Sequence, residues 1–190
     1  ALPGVRFVKE PPPGSRPEPM SECHPSLKNT LREAYAYAAL GPNESVRAEV
    51  AERLKGCGRP FAAVHIRRTD HLTAIRPEQQ TKDEAFLAFC ERGGRPSHEP
   101  PRPVYIATDN ATTQAEFTAR LGPRARHAKQ IRPSGSMRQT ALRDAAVDML
   151  VCAASDAFMG SHGSSFSDAI AHLRLATGRS SADDEHVLMN

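Results

Sequence analysis

The sequence predicts an α/β domain, with a Rossmann-like parallel sheet that carries helices on both faces. Short apolar runs alternate along the chain with longer segments whose apolar residues recur at helical spacing. The runs lack the polar alternation of strands that face water, so they suit strands buried on both faces. Strands and helices that alternate in this way build parallel sheets with right-handed crossovers.

The individual elements follow from local patterns. Apolar runs predict strands at 61–66, 104–107 and 157–159, with a weaker candidate near Ile131. Helical spacing predicts helices at about 25–40, 45–55, 81–90, 110–121, 138–153 and 165–177. Gly41, Gly56, Gly93 and Gly178 stand where four of these helices end, which is a position that glycine favours.

The 190 residues suffice for one domain with a sizeable core. We assign the domain to residues 25–178, after a Pro-rich arm or linker at 1–24 and before a polar tail at 179–190. The acidic side chains of the tail, Asp183, Asp184 and Glu185, are expected to be solvated.

Composition disfavours several classes of function. The net charge is +3 and the basic residues are dispersed, whereas nucleic-acid-binding proteins concentrate them on one face. No apolar run approaches the roughly 20 residues that cross a bilayer. The sequence has no Walker A loop, no GxGxxG run and no CxxC pair, and no Asp-x-Asp pair follows an apolar strand. We therefore expect no nucleic-acid partner, no membrane span in this chain and no metal site.

Polar residues follow the predicted strands, at the edge where parallel sheets bind ligands. His65, Arg67, Arg68 and Asp70 follow the first strand, Asp109 the second, and Ser164, Ser165 and Phe166 the last. Two arginines after a buried strand need anionic partners, and phosphate oxygens suit a guanidinium. Alternation along the strand assigns Arg67 to a ligand and Arg68 to bracing the loop. The alternative is that both arginines pair with Asp70 and other acids of the chain.

The other polar groups also have two interpretations. Ser164, Ser165 and Phe166 open a helix, whose first N–H groups bind anions, although an ordinary helix cap has the same residues. Asp109 is placed to accept hydrogen bonds from a ribose or a base, or else to cap the following helix. Asp148 lies inside an otherwise apolar helical run, which makes it a candidate site residue. The ordinary explanation is that it lies on the solvent face of that helix.

The run His65–Asp70, HIRRTD, resembles the donor-binding motif of the α1,6-fucosyltransferase and protein O-fucosyltransferase superfamily. Tyr105–Asp109 is similar to the second motif of that group, and Phe158–Ser167 is similar to the third. Asp148 matches an acid that helps to hold the nucleotide. The resemblance covers roughly residues 40–177, with the motifs in the family's order.

The resemblance implies the GDP-fucose-binding lobe of a GT-B-like glycosyltransferase that inverts the anomeric centre without a metal or other cofactor. It implies that the guanosine is contacted by His65, Asp109 and Asp148. It implies that the diphosphate is contacted by Arg67, Ser165 and Phe166. The implied donor site also includes Arg68 and Ser164. The implied catalytic residues are Arg67 and Asp70, with Arg67 offsetting charge on the departing phosphate. The compartment suggested by the resemblance alone is the secretory pathway.

The acceptor side departs from the α1,6 pattern. His71 and Ile75 stand where those enzymes have a lysine and a glutamate. The expected partners are GDP-fucose, a glycan or protein acceptor, and a separate acceptor-binding lobe or chain. The alternative function is a non-catalytic fucosyltransferase-like module that serves as an interaction or structural domain.

Overall fold

The computed structural model describes residues 25–39, 41–92, 101–128, 131, 140–179 and 184–185. The strands in these ranges are β1 (Ala62–Ile66), β2 (Val104–Thr108), β3 (Ala125–Arg126) and β4 (Ala157–Gly160). They form one parallel sheet in the order β3-β2-β1-β4. The predicted fold class is therefore confirmed, while the predicted arm at 1–24 lies outside the described residues.

Helices cover both faces of this sheet. They are α1 (Pro25–Ala39), α2 (Glu44–Cys57), α3 (His71–Ala74), α4 (Asp83–Arg92), α5 (Ala111–Leu121), α6 (Leu142–Ala154) and α7 (Ser165–Ala176), with 3₁₀ turns at Pro77–Gln79 and Gly122–Arg124. Alternate residues of β1 divide between the faces: Ala63 packs with α2, α6 and α7, and Val64 packs with α4 and α5. Helix α1 packs outside α7. None of the helices in these ranges is both long and apolar enough to cross a bilayer.

The strand order places a topological switch beside β1. The chain passes from β1 to β2 on one side, and it returns to add β4 on the other. Crossovers that leave a parallel sheet in opposite directions separate at the carboxyl ends of the strands, and the resulting crevice is where such sheets bind ligands. The fold therefore puts its crevice between the loops that follow β1 and β4.

The weak third strand is predicted near Ile131, but Ile131 itself is in no strand, and residues 129–130 and 132–139 lie outside the described ranges. The third strand that the structure describes lies earlier in the chain. It is at Ala125–Arg126, where it pairs with Val104 and Tyr105 of β2. The backbone N–H of Ile131 instead donates to the side chain of Gln114 at 2.8 Å. The strand is too short to leave an apolar run in the sequence, and its pairing depends on the neighbouring β2.

The predicted solvation of the tail acids is wrong for Asp184. Its carboxylate receives two hydrogen bonds from Arg174, Nη2 to Oδ1 at 2.7 Å and Nε to Oδ2 at 3.0 Å. The backbone of Glu185 forms an isolated parallel β-bridge with Met159 of β4. Arg174 is completely buried, and a buried guanidinium requires an anionic partner. Asp184 supplies that partner, so this part of the tail packs against the domain.

Candidate functional site

A cleft of about 500 Å³ opens at the topological switch. The cleft, as we call it below, is bounded by the loops after β1, β2 and β4 and by the first turns of α6 and α7. Of the residues predicted from sequence, it is lined by His65, Arg67, Asp70, Asp109, Asp148, Ser164, Ser165 and Phe166. The structure therefore brings together side chains that are up to 101 positions apart in the sequence, counting from His65 to Phe166.

One guanidinium in the cleft is held by two carboxylates. Arg67 Nη1 lies 2.5 Å from Asp109 Oδ2, and Arg67 Nη2 lies 2.6 Å from Asp70 Oδ1. Asp109 is nearly buried, whereas half of Asp70 is exposed, and the Arg67 side chain keeps 29% of its surface accessible. The buried partner thus fixes the arginine, and the exposed partner covers its outer edge.

Asp109 also organises the loop after β1. Its Oδ1 accepts the backbone N–H of Arg68 at 2.7 Å, and the hydroxyl of Thr69 donates to its Oδ2. Thr69 has φ of 28°, a conformation that is uncommon for a β-branched residue and that concentrates at functional sites. The predicted alternative for Asp109 does not hold, because the cap of α5 is the side chain of Asn110.

Arg68 points away from the cleft. Its guanidinium forms an ion pair with Asp83 at the start of α4, and only 12% of its side chain is exposed. This contact ties the loop after β1 to α4. It fits the bracing role that strand alternation predicts for Arg68.

The N-terminus of α7 presents backbone donors at the cleft. The Ser164 side chain caps the helix by accepting from the backbone N–H of Ser167, and Gly163 before it has φ of 70°. Within the described residues, no acceptor receives the backbone N–H of Ser165 or Phe166. Unpaired N–H groups in a first helical turn carry partial positive charge and bind phosphate oxygens.

Serines lock the loops after β1 and β4 together. Ser161 Oγ accepts the backbone N–H of Arg67 at 2.8 Å and donates to the carbonyl oxygen of His65 at 3.1 Å. His65 Nδ1 lies 2.7 Å from Ser167 Oγ, and its ring centroid lies 4.5 Å from that of Phe166. The two rings, tilted by 36° to each other, form an aromatic wall whose position is set by these contacts.

Asp148 is a buried carboxyl group in the lining of the cleft. The hydroxyl of Tyr105 donates to its Oδ1 at 2.7 Å. Burial raises the pKa of Asp148 to about 7, Asp144 and Glu49 add to the rise, and the Tyr105 hydrogen bond and Arg53 oppose it. The cleft thus contains a carboxyl group, an aromatic wall and an anion-binding end. Such a site suits a ligand with hydrogen-bond donors on a flat ring and a negatively charged group.

The sequence profile for GDP-fucose protein O-fucosyltransferases matches residues 42–176, which contain every residue described in this cleft. The chain belongs to that family. Its members are the O-fucosyltransferases, and the fold seen here is a fucosyltransferase fold. No curated protein matches the chain in a sequence search.

Solved structures agree with this fold. POFUT1 in complex with GDP-fucose superposes with a TM-score of 0.52 at 16% identity, covering 83% of this chain and 49% of POFUT1. The apo form of POFUT1 gives 0.50 at 17% identity, covering 84% and 50%. The fucosyltransferase NodZ from Bradyrhizobium gives 0.47 at 17% identity, covering 70% and 42%. The chain therefore spans about half the length of these structures.

Several contacts around the cleft escaped the sequence analysis. They involve Thr69, Tyr105, Ser161 and Ser167. A hydroxyl in a fully apolar strand was a usable signal for Tyr105, because a buried tyrosine hydroxyl takes a hydrogen-bond partner. The sequence does not reveal which residue that partner is.

In the described ranges, no group of three or more His, Cys, Asp or Glu side chains is placed to hold a metal ion.

The raised pKa of Asp148 predicts a pH-dependent stability. Below about pH 4 the carboxyl is protonated in both states, and between pH 4 and 7 the folded state keeps a proton that the unfolded state releases. The free energy of unfolding therefore falls as pH rises from about 4 to 7, by roughly 4 kcal/mol in total for this group, and it levels off above pH 7. The Asp148→Asn variant should lack this loss and keep an oxygen for the Tyr105 hydroxyl.

Urea unfolding of both proteins at pH 5 and pH 8 measures this difference. The advantage of Asp148→Asn should grow with pH, while Glu52→Gln, a change at an exposed carboxylate on α2, should follow the wild type. If wild type and Asp148→Asn show parallel pH profiles, the Asp148 carboxyl has an ordinary pKa in the folded protein.

Proposed function

We propose that this chain binds GDP-fucose in the cleft and serves as the donor-binding half of a metal-independent, inverting fucosyltransferase. The observation that carries the proposal is the convergence of Arg67, the α7 N-terminus and Asp148 on one cleft at the switch of the sheet. Each of these groups suits one part of a nucleoside diphosphate sugar. POFUT1, whose structure shares this fold, has been crystallised in complex with GDP-fucose.

The guanosine is proposed to lie at the Asp148 end. Its N1–H and 2-amino groups are adjacent donors, and a carboxylate accepts two donors through its two oxygens. The rings of His65 and Phe166 are proposed to offer an aromatic surface beside it. Asp109, which holds Arg67 and the loop after β1, is proposed to lie between this end and the phosphates.

The diphosphate is proposed to lie between Arg67 and the first turn of α7. The N–H groups of Ser165 and Phe166 donate to one phosphate, with Ser164 fixing the turn. The exposed edge of Arg67 binds the other phosphate and displaces Asp70, while the buried Asp109 keeps the guanidinium oriented. Arg68 holds the loop from behind through Asp83.

In the proposed reaction, the acceptor oxygen bonds to the anomeric carbon of fucose as the bond from that carbon to the phosphate oxygen breaks. A general base takes the acceptor proton, and GDP leaves with the bonding electrons. Arg67 and the α7 N-terminus stabilise the charge on the departing phosphate. Asp70, which lies at the open side of the cleft, is proposed to belong to the catalytic group. The acceptor is proposed to be a glycan or protein hydroxyl. Its binding site is proposed to lie on the half of the matched structures that this chain does not cover, or on a separate chain.

One observation favours the alternative of a non-catalytic module. The Arg67 guanidinium is already paired with two carboxylates, so this cluster is satisfied without a ligand. Such a module would use the domain for interaction with other proteins, and its cleft would have no need of a nucleotide.

Calorimetric titration with GDP and GDP-fucose decides between these functions. We expect saturable binding of both, unchanged when EDTA is added, and much weaker binding of ADP because adenine lacks the donor pair. A folded chain that binds neither nucleotide would contradict the proposal and favour the non-catalytic module. Binding that EDTA abolishes would contradict metal independence alone.

A further inference from the structure

Tyr105 is a buried residue of β2 that lies behind the lining of the cleft. Its side chain is 1% exposed, and it packs among the apolar residues between the sheet and α6. Phenylalanine would fill the same space without bringing a polar group into the core. The hydroxyl instead donates to Asp148, the buried acid of the cleft lining, so Tyr105 touches the cleft only through that acid.

The hydrogen bond restricts what Asp148 can do. Tyr105 occupies a lone pair of Oδ1, and no described residue donates to Oδ2. A hydroxyl donor stabilises a carboxylate more than a carboxylic acid, and it prevents the group from turning about its Cβ–Cγ bond. Asp148 is thereby held as a fixed acceptor, with Oδ2 available to a ligand.

We propose that Tyr105 is a positioning residue that sets the base preference of the cleft, by holding Asp148 in the orientation that accepts two adjacent N–H donors. Guanine offers two such donors, N1–H and the 2-amino group. Hypoxanthine offers only N1–H, and adenine presents an acceptor at N1. A fixed carboxylate distinguishes one donor from two, whereas a carboxyl group free to turn or to take up a proton pairs with a single donor about equally well. This inference rests on the proposed nucleotide function of the cleft.

The test is a comparison of GDP and IDP affinities for wild type and Tyr105→Phe by calorimetry. Wild type should prefer GDP by about ten-fold, the worth of one hydrogen bond to a charged group. Tyr105→Phe should lose about ten-fold in GDP affinity but only two- to three-fold in IDP affinity, so that the preference falls to roughly three-fold. Tyr37→Phe is the matched control, since it removes a hydroxyl from a half-buried tyrosine that stacks on His172 away from the cleft, and it should change neither affinity.

A double-mutant cycle separates positioning from general loosening of the core. If Tyr105 acts through Asp148, then Tyr105→Phe should leave the GDP-to-IDP ratio unchanged when it is added to Asp148→Asn. An equal loss of both nucleotides in Tyr105→Phe, or a further change of the ratio in the double variant, would overturn the inference while leaving the proposed function intact. Failure of the wild type to bind GDP would overturn both, and thermal unfolding confirms that each variant is folded.

Discussion

Replacing Arg67 with alanine is expected to weaken binding of GDP and GDP-fucose by roughly 100-fold or more. The change removes charge-assisted hydrogen bonds to the diphosphate, each worth about 1.5–3 kcal/mol. It also leaves Asp70 and Asp109 without their cation, so two carboxylates then face the phosphates. Calorimetric titration measures the loss, and circular dichroism confirms that the variant is folded.

Two further variants make the Arg67 result specific. Arg67→Lys keeps the charge but not the planar fork, so it should recover part of the affinity and remain about ten-fold weaker than wild type. Arg59→Ala removes an arginine that pairs with Asp156 at the opposite end of the sheet, and it should bind like wild type. Equal affinity of Arg67→Ala and wild type would mean that the Arg67 cluster is a structural ion-pair network, as in the non-catalytic alternative.

Replacing Arg174 with methionine is expected to lower the free energy of unfolding by about 3–5 kcal/mol, a large share of the 5–15 kcal/mol typical of a domain. The guanidinium is fully buried, and it donates to Asp184, to the Ser155 carbonyl oxygen at 2.7 Å and to the Arg179 carbonyl oxygen at 2.8 Å. Methionine fills much of the space, but it removes the donor to the Ser155 and Arg179 carbonyl oxygens and the cation that pairs with the Asp184 carboxylate. Urea unfolding at neutral pH measures the loss.

The same segment offers an exposed ion pair as a control. Arg92 pairs with Glu185, both about half exposed, and Arg92→Ala should cost less than about 1 kcal/mol. Adding Asp184→Asn to Arg174→Met should recover part of the stability, because the buried charge is then removed with its partner. If Arg174→Met costs no more than Arg92→Ala, then Asp184 is solvated in solution, as its sequence context first indicated.

The positions of the cleft residues were largely predictable, because they depend on local patterns. Apolar runs mark β1, β2 and β4, and in a parallel sheet the residues that follow such runs meet at one edge. This reasoning places Arg67, Asp109 and Ser165 in one cleft before any coordinates are known. It misses β3, because two residues do not make a pattern.

The partners of the charged groups were not predictable, because they depend on which side chains the fold brings within hydrogen-bonding distance. Asp109 holds Arg67 rather than capping α5, and Arg68 finds Asp83 fifteen positions further along the chain. Tyr105 reaches Asp148 across 43 positions. The separation of two residues along the sequence does not predict the distance between their side chains in the fold.

By itself, the sequence determined the order of strands and helices, the parallel sheet and the edge at which its polar loops gather. These features follow from side-chain periodicity and chain connectivity, which act over a few residues at a time. Only the tertiary structure decided which carboxylates pair with Arg67 and that Asp148 is buried with a raised pKa. It also decided that Asp184 pairs with the buried Arg174. The reason is that desolvation and ion pairing depend on distances between residues far apart in the chain, and only the folded packing sets those distances.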